Sequence, residues 1–186
     1  MSTLAPCAPP ADHLVVDGGL AILRPLVPDE SERIQEVFDA LSDRSRYLRF
    51  HAATPRLTGT ALRHLARVVA CERGAVVAMI GARAVGVAQW ARYADEPHVA
   101  ELAVAVGDRF QQRGIGRALV ATAAGGVVRA GVAHIAATVH PESRTVLRWM
   151  QGGGAVPRPG HAGELLVEAA ALARSLDVQR SGRLTA

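Results

Sequence analysis

Residues 100–131, AELAVAVGDRFQQRGIGRALVATAAGGVVRAG, constrain the fold more than any other part of the chain. The first seven alternate as a half-buried strand does, with Leu102, Val104 and Val106 on one face and Glu101, Ala103 and Ala105 on the other. Residues 107–112 read as a loop. From there Ile115, Leu119, Val120, Ala123 and Val127 recur at helical spacing up to Gly131, which suits the residue just past a helix end. Backbone N–H groups at a helix start have no intrahelical acceptor, and the helix dipole adds partial positive charge there. Gly114 and Gly116 remove side chains at that place while Arg113 and Arg117 add charge, so the order strand, loop, helix predicts a phosphate-binding turn.

Two common phosphate motifs fail against this turn. A P-loop needs Gly-Lys followed by Ser or Thr, and the chain contains no lysine. A dinucleotide fingerprint needs a third small residue where Leu119 stands, and an acidic residue about 20 positions on, where the chain has His134. The spacing is Q-x-x-G-x-G, and it resembles the pyrophosphate signature of the GNAT acyltransferase superfamily. Residues 101–131 are similar to that superfamily's fourth strand and third helix. The resemblance implies acetyl-CoA as cosubstrate, with its diphosphate on Gln111, Gln112, Arg113, Gly114, Ile115, Gly116 and Arg117.

The remainder of the chain is consistent with one α/β (α+β) domain. Residues 20–26 read as a strand, and 28–41 as a helix with Ile34, Val37, Phe38 and Leu41 on one face. A second helical pattern runs through Leu62, Leu65 and Val69. Residues 75–80 and 84–93 form a hairpin and, with 99–106, an antiparallel meander whose continuous apolar runs require cover on both faces. Residues 132–140 form a strand after the helix, parallel to the one holding Glu101 through a right-handed crossover. A helix over 141–154, short strands at 156–159 and 164–168, and a helix at 169–178 complete a mixed central sheet with helices on both faces, the GNAT fold. The domain is expected over 18–178, after a disordered segment 1–17 rich in Ala and Pro and before a loose tail 179–186. The first residues lack the basic start and apolar run of a signal peptide, and no stretch is apolar enough to span a membrane. Cys7 falls in the leading segment and Cys71 in the body, so no disulfide framework is expected and a reducing cytoplasm fits.

The segment RP at 24–25 followed by SRYLRF at 45–50 resembles the acetyltransferase modules of bacterial protein lysine acetyltransferases. In the superfamily the first two helices border the acceptor site, which implies roles there for Tyr47, Arg49 and Phe50; core packing of the two aromatics is the other reading. The resemblance also places the pantetheine arm between two splayed strands, against the backbone of Val104 and Val106. Ser143 stands where an Asn usually contacts the cofactor, and its hydroxyl keeps one donor at shorter reach. Met150 stands where many members carry a Tyr that protonates the leaving thiolate.

A free amine attacks a thioester and an ammonium cannot. With a lysine pKa near 10.4, only about one amine in 2,500 is neutral at pH 7, so a positioned carboxylate is needed to take the proton. Glu101 lies on the strand that would hold the thioester, and its spacing to Gly114 matches the catalytic glutamate of those lysine acetyltransferases; a surface carboxylate paired with an arginine is the alternative. The expected function is acetyl transfer to a primary amine, foremost a protein lysine side chain. A small-molecule amine acetyltransferase and an acyl-CoA-binding sensor without turnover stay open.

Other classes lack their residues. All 21 basic residues are arginine, scattered at a net charge of +4 with 4% aromatics, so nucleic acid is not an expected partner. There is no G-x-S-x-G, C-x-x-C or H-E-x-x-H, and His134 and His140, placed on one strand, have no third ligand nearby, so no metal is expected.

Overall fold

The computed structural model describes residues 11–16 and 19–181. Its elements in chain order are β1 (Asp12–Val16), β2 (Gly19–Pro25), α1 (Ser31–Asp39), α2 (Asp43–Phe50), α3 (Gly59–Leu65), β3 (Arg73–Ile80), β4 (Arg83–Arg92), β5 (Val99–Val106), α4 (Ile115–Arg129), β6 (His134–Thr138), α5 (Arg144–Gly152), β7 (Val156–Pro157), β8 (Glu164–Glu168) and α6 (Ala169–Ser181). The strands form one mixed sheet in the order β1-β2-β3-β4-β5-β6-β8-β7, in which only β5 and β6 are parallel.

The β3–β4 hairpin closes on Gly81 and Ala82, with Ile80 opposite Arg83; Gly81 supplies the positive φ of 58° that so short a turn requires. Beyond the turn both strands are buried on both faces, as their unbroken apolar runs demand. One face packs Ala75, Val77, Val87 and Ala105 under α1 and α3. The other packs Ala78, Ala88, Ala100 and Leu102 under α4 and α6. Close seating of α4 depends on Gly86, where a Cβ would stand 2.9 Å from a Leu119 methyl.

Several boundaries differ from the sequence reading. The leading segment is ordered earlier than expected, because Asp12–Val16 pairs antiparallel with β2 along five positions; residues 1–10 lie outside the description. Residues 43–50 are a helix, α2, with no buried residue and hence no apolar stripe to betray it. Its start is fixed by Ser42, whose hydroxyl accepts from the Ser45 N–H, and its end by His51 at a φ of 55°. β6 stops at Thr138, so His140 leaves the strand that carries His134. α6 extends to Ser181 rather than ending at 178, and residues 182–186 lie outside the description.

Cys71 stands at a φ of 60° just before β3; Cys7 lies outside the described residues. Among the described residues, no helix is long and apolar enough to cross a membrane.

Candidate functional site

The sheet opens at its centre. β5 and β6 pair only where Val99, Ala100 and Glu101 face His134, Ile135 and Ala136. Beyond Glu101, β5 follows β4 to the Gly86–Val106 pair, while β6 turns to β8 as far as the Thr138–Glu164 pair. Leu102 to Val106 therefore have no β6 partner, and one edge of that backbone is left to whatever enters the gap. Val104 and Val106 lie on this free stretch, and Glu101 is exposed at its mouth.

At the far end of the gap stands the start of α4. Gly114 is its N-cap at a φ of 83°, with no side chain capping it, and the Gly114 carbonyl accepts the Ala118 N–H at 3.0 Å. The first-turn N–H groups of Ile115 and Gly116 are thus directed outward. Gln112 also takes a positive φ, 61°, so the loop over 112–114 is bent tightly. The Gln111 amide braces it, donating to the Val106 carbonyl at 3.0 Å and to Asp108 at 3.2 Å. Arg113 is exposed, its guanidinium 5.7 Å from the Phe110 ring. The Arg117 side chain is turned away from the turn: it donates to the Leu176 and Ser175 carbonyls at 2.9 and 2.7 Å and ties α6 to α4. Trp149, which the sequence did not single out, reaches this place; its ring would lie 3.2 Å from a Cβ on Gly116.

On the opposite wall Ser143 begins α5, half-buried, with its hydroxyl in no capping bond. Met150 is buried in the core, so its position in the helix does not face the gap. The β6–α5 turn meets α2: Arg44 pairs with Glu142 at 2.5 Å, and the Tyr47 and His140 rings stand edge-on at 5.5 Å. The Glu142 N–H donates to His140 Nδ1 at 3.2 Å.

Above Glu101 lies an open cleft of about 170 Å³ lined by Arg49, His64, Arg67, Arg73 and Gln89 among others. Arg49 donates to Gln89 Oε1 at 3.1 Å, and Gln89 Nε2 to the Leu65 carbonyl at 2.6 Å, a chain that fixes the guanidinium beside Glu101. Burial pulls the Arg49 pKa down, against the opposing charge of Glu101. Tyr93, on Glu101's side of the sheet two residues past its partner Ala91, has its phenol pushed up by burial first, then by the Glu164 and Glu101 carboxylates. Among the described residues Glu101 is in no salt bridge, and Arg49 lines the same cleft.

Of the expected acceptor residues, Tyr47 is exposed and Arg49 lines the cleft, while Phe50 packs its ring 5.9 Å from the buried Phe38. Gln89 had a signal in sequence, as the one amide in a buried apolar strand. His140 and Trp149 had none, since their places follow from how α2 and α5 pack.

Known proteins share this arrangement. The family model for the Acetyltransferase (GNAT) family matches residues 32–151. The GNAT domain of S. lividans PAT is similar at 28% identity with a TM-score of 0.75, covering 85% of this chain and 95% of that one. A cAMP-binding acyltransferase from Mycobacterium smegmatis shares the fold at 22% identity and a TM-score of 0.57; 91% of this chain is covered but only 56% of that protein. Mycobacterium smegmatis RimJ in complex with CoA-disulfide shares it at 15% identity, with a TM-score of 0.61 and coverage of 95% and 98%.

Proposed function

We propose a reaction from one premise: the chain belongs to the GNAT acetyltransferase family and is therefore an acyltransferase. In our reading it transfers an acetyl group from acetyl-CoA to the amine of protein lysine side chains, with Glu101 as general base. The observation that carries this is the parting of β5 from β6 immediately after Glu101, with the uncapped start of α4 at the other end of the opening.

Each residue then has a task. N–H groups at Ile115 and Gly116 hold a diphosphate, and the free edge of Val104 and Val106 offers backbone partners to an amide-bearing arm. The Ser143 hydroxyl is placed to add one hydrogen bond from the opposite wall. The acetyl thioester supplies the electrophilic carbonyl when bound. Glu101 takes a proton from the arriving ammonium, directly or through water, so that the amine lone pair is free to attack. Arg49 stands beside it, its guanidinium held by Gln89. Met150 is buried and carries no proton, so the leaving sulfur takes its proton from water or another group.

A protein acceptor is supported by the 28% identity to S. lividans PAT, a protein acetyltransferase. The test is a mass-spectrometric screen in which labelled acetyl-CoA is offered with a lysine-containing proteome and an amine panel. Acetyl-lysine in proteins, with thiol release, is the expected result; label on small amines alone would replace this acceptor, and thioester binding without release would make the chain a sensor. Glu101→Gln is expected to lose about 10² to 10⁴ in rate while acetyl-CoA affinity holds, with the deficit shrinking at alkaline pH as neutral amine becomes available. Full activity of Glu101→Gln across the pH range would reject the base.

A further inference from the structure

The cleft over Glu101 is lined by more positive than negative side chains. Three guanidiniums, of Arg49, Arg67 and Arg73, line it against the single carboxylate of Glu101. None of the three has a carboxylate within ion-pair distance among the described residues, whereas Arg24, Arg33, Arg44, Arg46, Arg158 and Arg174 all do. Arg49 is held to the neutral Gln89 on the wall it shares with Glu101. Arg73 lies 3.1 Å from His64 Nε2 and has no carboxylate beside it among the described residues. Arg67 is exposed on the same rim.

An ammonium arriving alone is repelled by this field. An ammonium accompanied by a carboxylate is drawn in, and the carboxylate settles on Arg67 and Arg73 while the amine reaches Glu101. The field has a second effect, since positive charge around the amine disfavours its protonated form and eases the work of the base. A lysine flanked by basic residues meets like charges instead and is selected against.

Resting on the lysine-acetyltransferase reading above, we propose that this cleft selects lysines flanked by acidic side chains, with Arg67 and Arg73 holding a glutamate or aspartate of the acceptor peptide while the lysine amine lies at Glu101. The partner is an acidic peptide segment of a protein.

The experiment measures kcat/KM on three blocked peptides with one central lysine, flanked by glutamates, alanines or arginines, with free glutamate as a fourth acceptor. The glutamate-flanked peptide is expected to exceed the alanine-flanked one by about 3- to 30-fold, the yield of one or two partly screened ion pairs. The gain lies in KM rather than kcat and shrinks as salt rises. Arg67→Glu and Arg73→Glu are each expected to invert the order, favouring the arginine-flanked peptide. Arg67 is exposed, so its variant keeps the test open if Arg73→Glu fails to fold. Equal rates on all three peptides, or an order unchanged in Arg67→Glu, overturn the proposal and leave lysine acetylation standing. Acetylation of free glutamate with no peptide modified moves the anion to a small molecule and overturns it as well. No thiol release with any acceptor overturns the underlying enzymatic reading itself.

Discussion

Gly114 and Gly116 lie two residues apart in one turn, yet they are glycine for different reasons. Gly114 has open space around it, its nearest neighbour being a Leu14 methyl at 4.0 Å, but its φ is 83°. Gly116 has no unusual φ, and a Cβ there would meet Trp149 at 3.2 Å and Val106 at 3.4 Å. Gly114→Ala is therefore expected to cost about 1 to 2 kcal/mol of stability, the penalty of a left-handed L-residue, read as a lowered midpoint in urea. Gly116→Val is expected to act on ligand affinity, because the added bulk meets Trp149 and Val106 and displaces the start of α4. Calorimetry should show acetyl-CoA binding weakened at least tenfold, roughly 1.4 kcal/mol. Unchanged affinity in a folded Gly116→Val protein would remove the anion site from the start of α4. The two glycines were visible in sequence as a pair; that one answers to backbone conformation and the other to a tryptophan from α5 was not.

Elements with a strong apolar period were legible before the fold was known, and those held by polar contacts were not. β5 was placed at its observed ends because its alternation matches its two cores. α2 was missed because its attachments are polar: Arg46 lies 4.3 Å over the Phe38 ring and donates to the Pro55 carbonyl, and Arg44 pairs with Glu142. β1 was missed because a short edge strand needs only its partner β2. A similar polar tie joins β2 to α1, where Arg24 meets both oxygens of Glu30 at 2.6 and 2.7 Å. The bond from Arg24 holds the Glu30 carboxyl below its ordinary value, with help from the Val27 N–H. A carboxylate with a depressed folded pKa stabilises the fold above its unfolded value and loses that contribution as pH falls through the folded one. Arg24→Met, which keeps the aliphatic stem, is expected to lower the melting temperature at pH 7, and the gap to wild type should narrow as pH falls below 4.5. A gap that stays constant from pH 7 to 3 would mean that the pair contributes packing and no charge linkage.

At the scale of the whole molecule, the sequence revealed the fold and the gap's two ends, because a strand, a turn and a helix adjacent in the chain build both. The cleft over Glu101 is assembled from α2, α3, β3, β4 and β5, and such a convergence has no local signature. One global property was plain from the start: every one of the 21 basic residues is arginine. A lysine acetyltransferase, as proposed above, that meets its own surface can modify a lysine there. A guanidinium stays protonated at any pH at which the enzyme works, so it offers no nucleophilic nitrogen. On the proposed reading, the chain therefore presents no side-chain amine to itself. Incubated alone with acetyl-CoA, the protein is expected to show no side-chain amide adduct on intact-mass analysis, leaving the α-amino group as the one reactive amine. The same preparation should still label a lysine peptide, which separates inertness toward self from inactivity. An acetyl group mapped to Ser, Thr or Tyr would show that Glu101 activates hydroxyls as well as amines, and would widen the acceptor class beyond lysine.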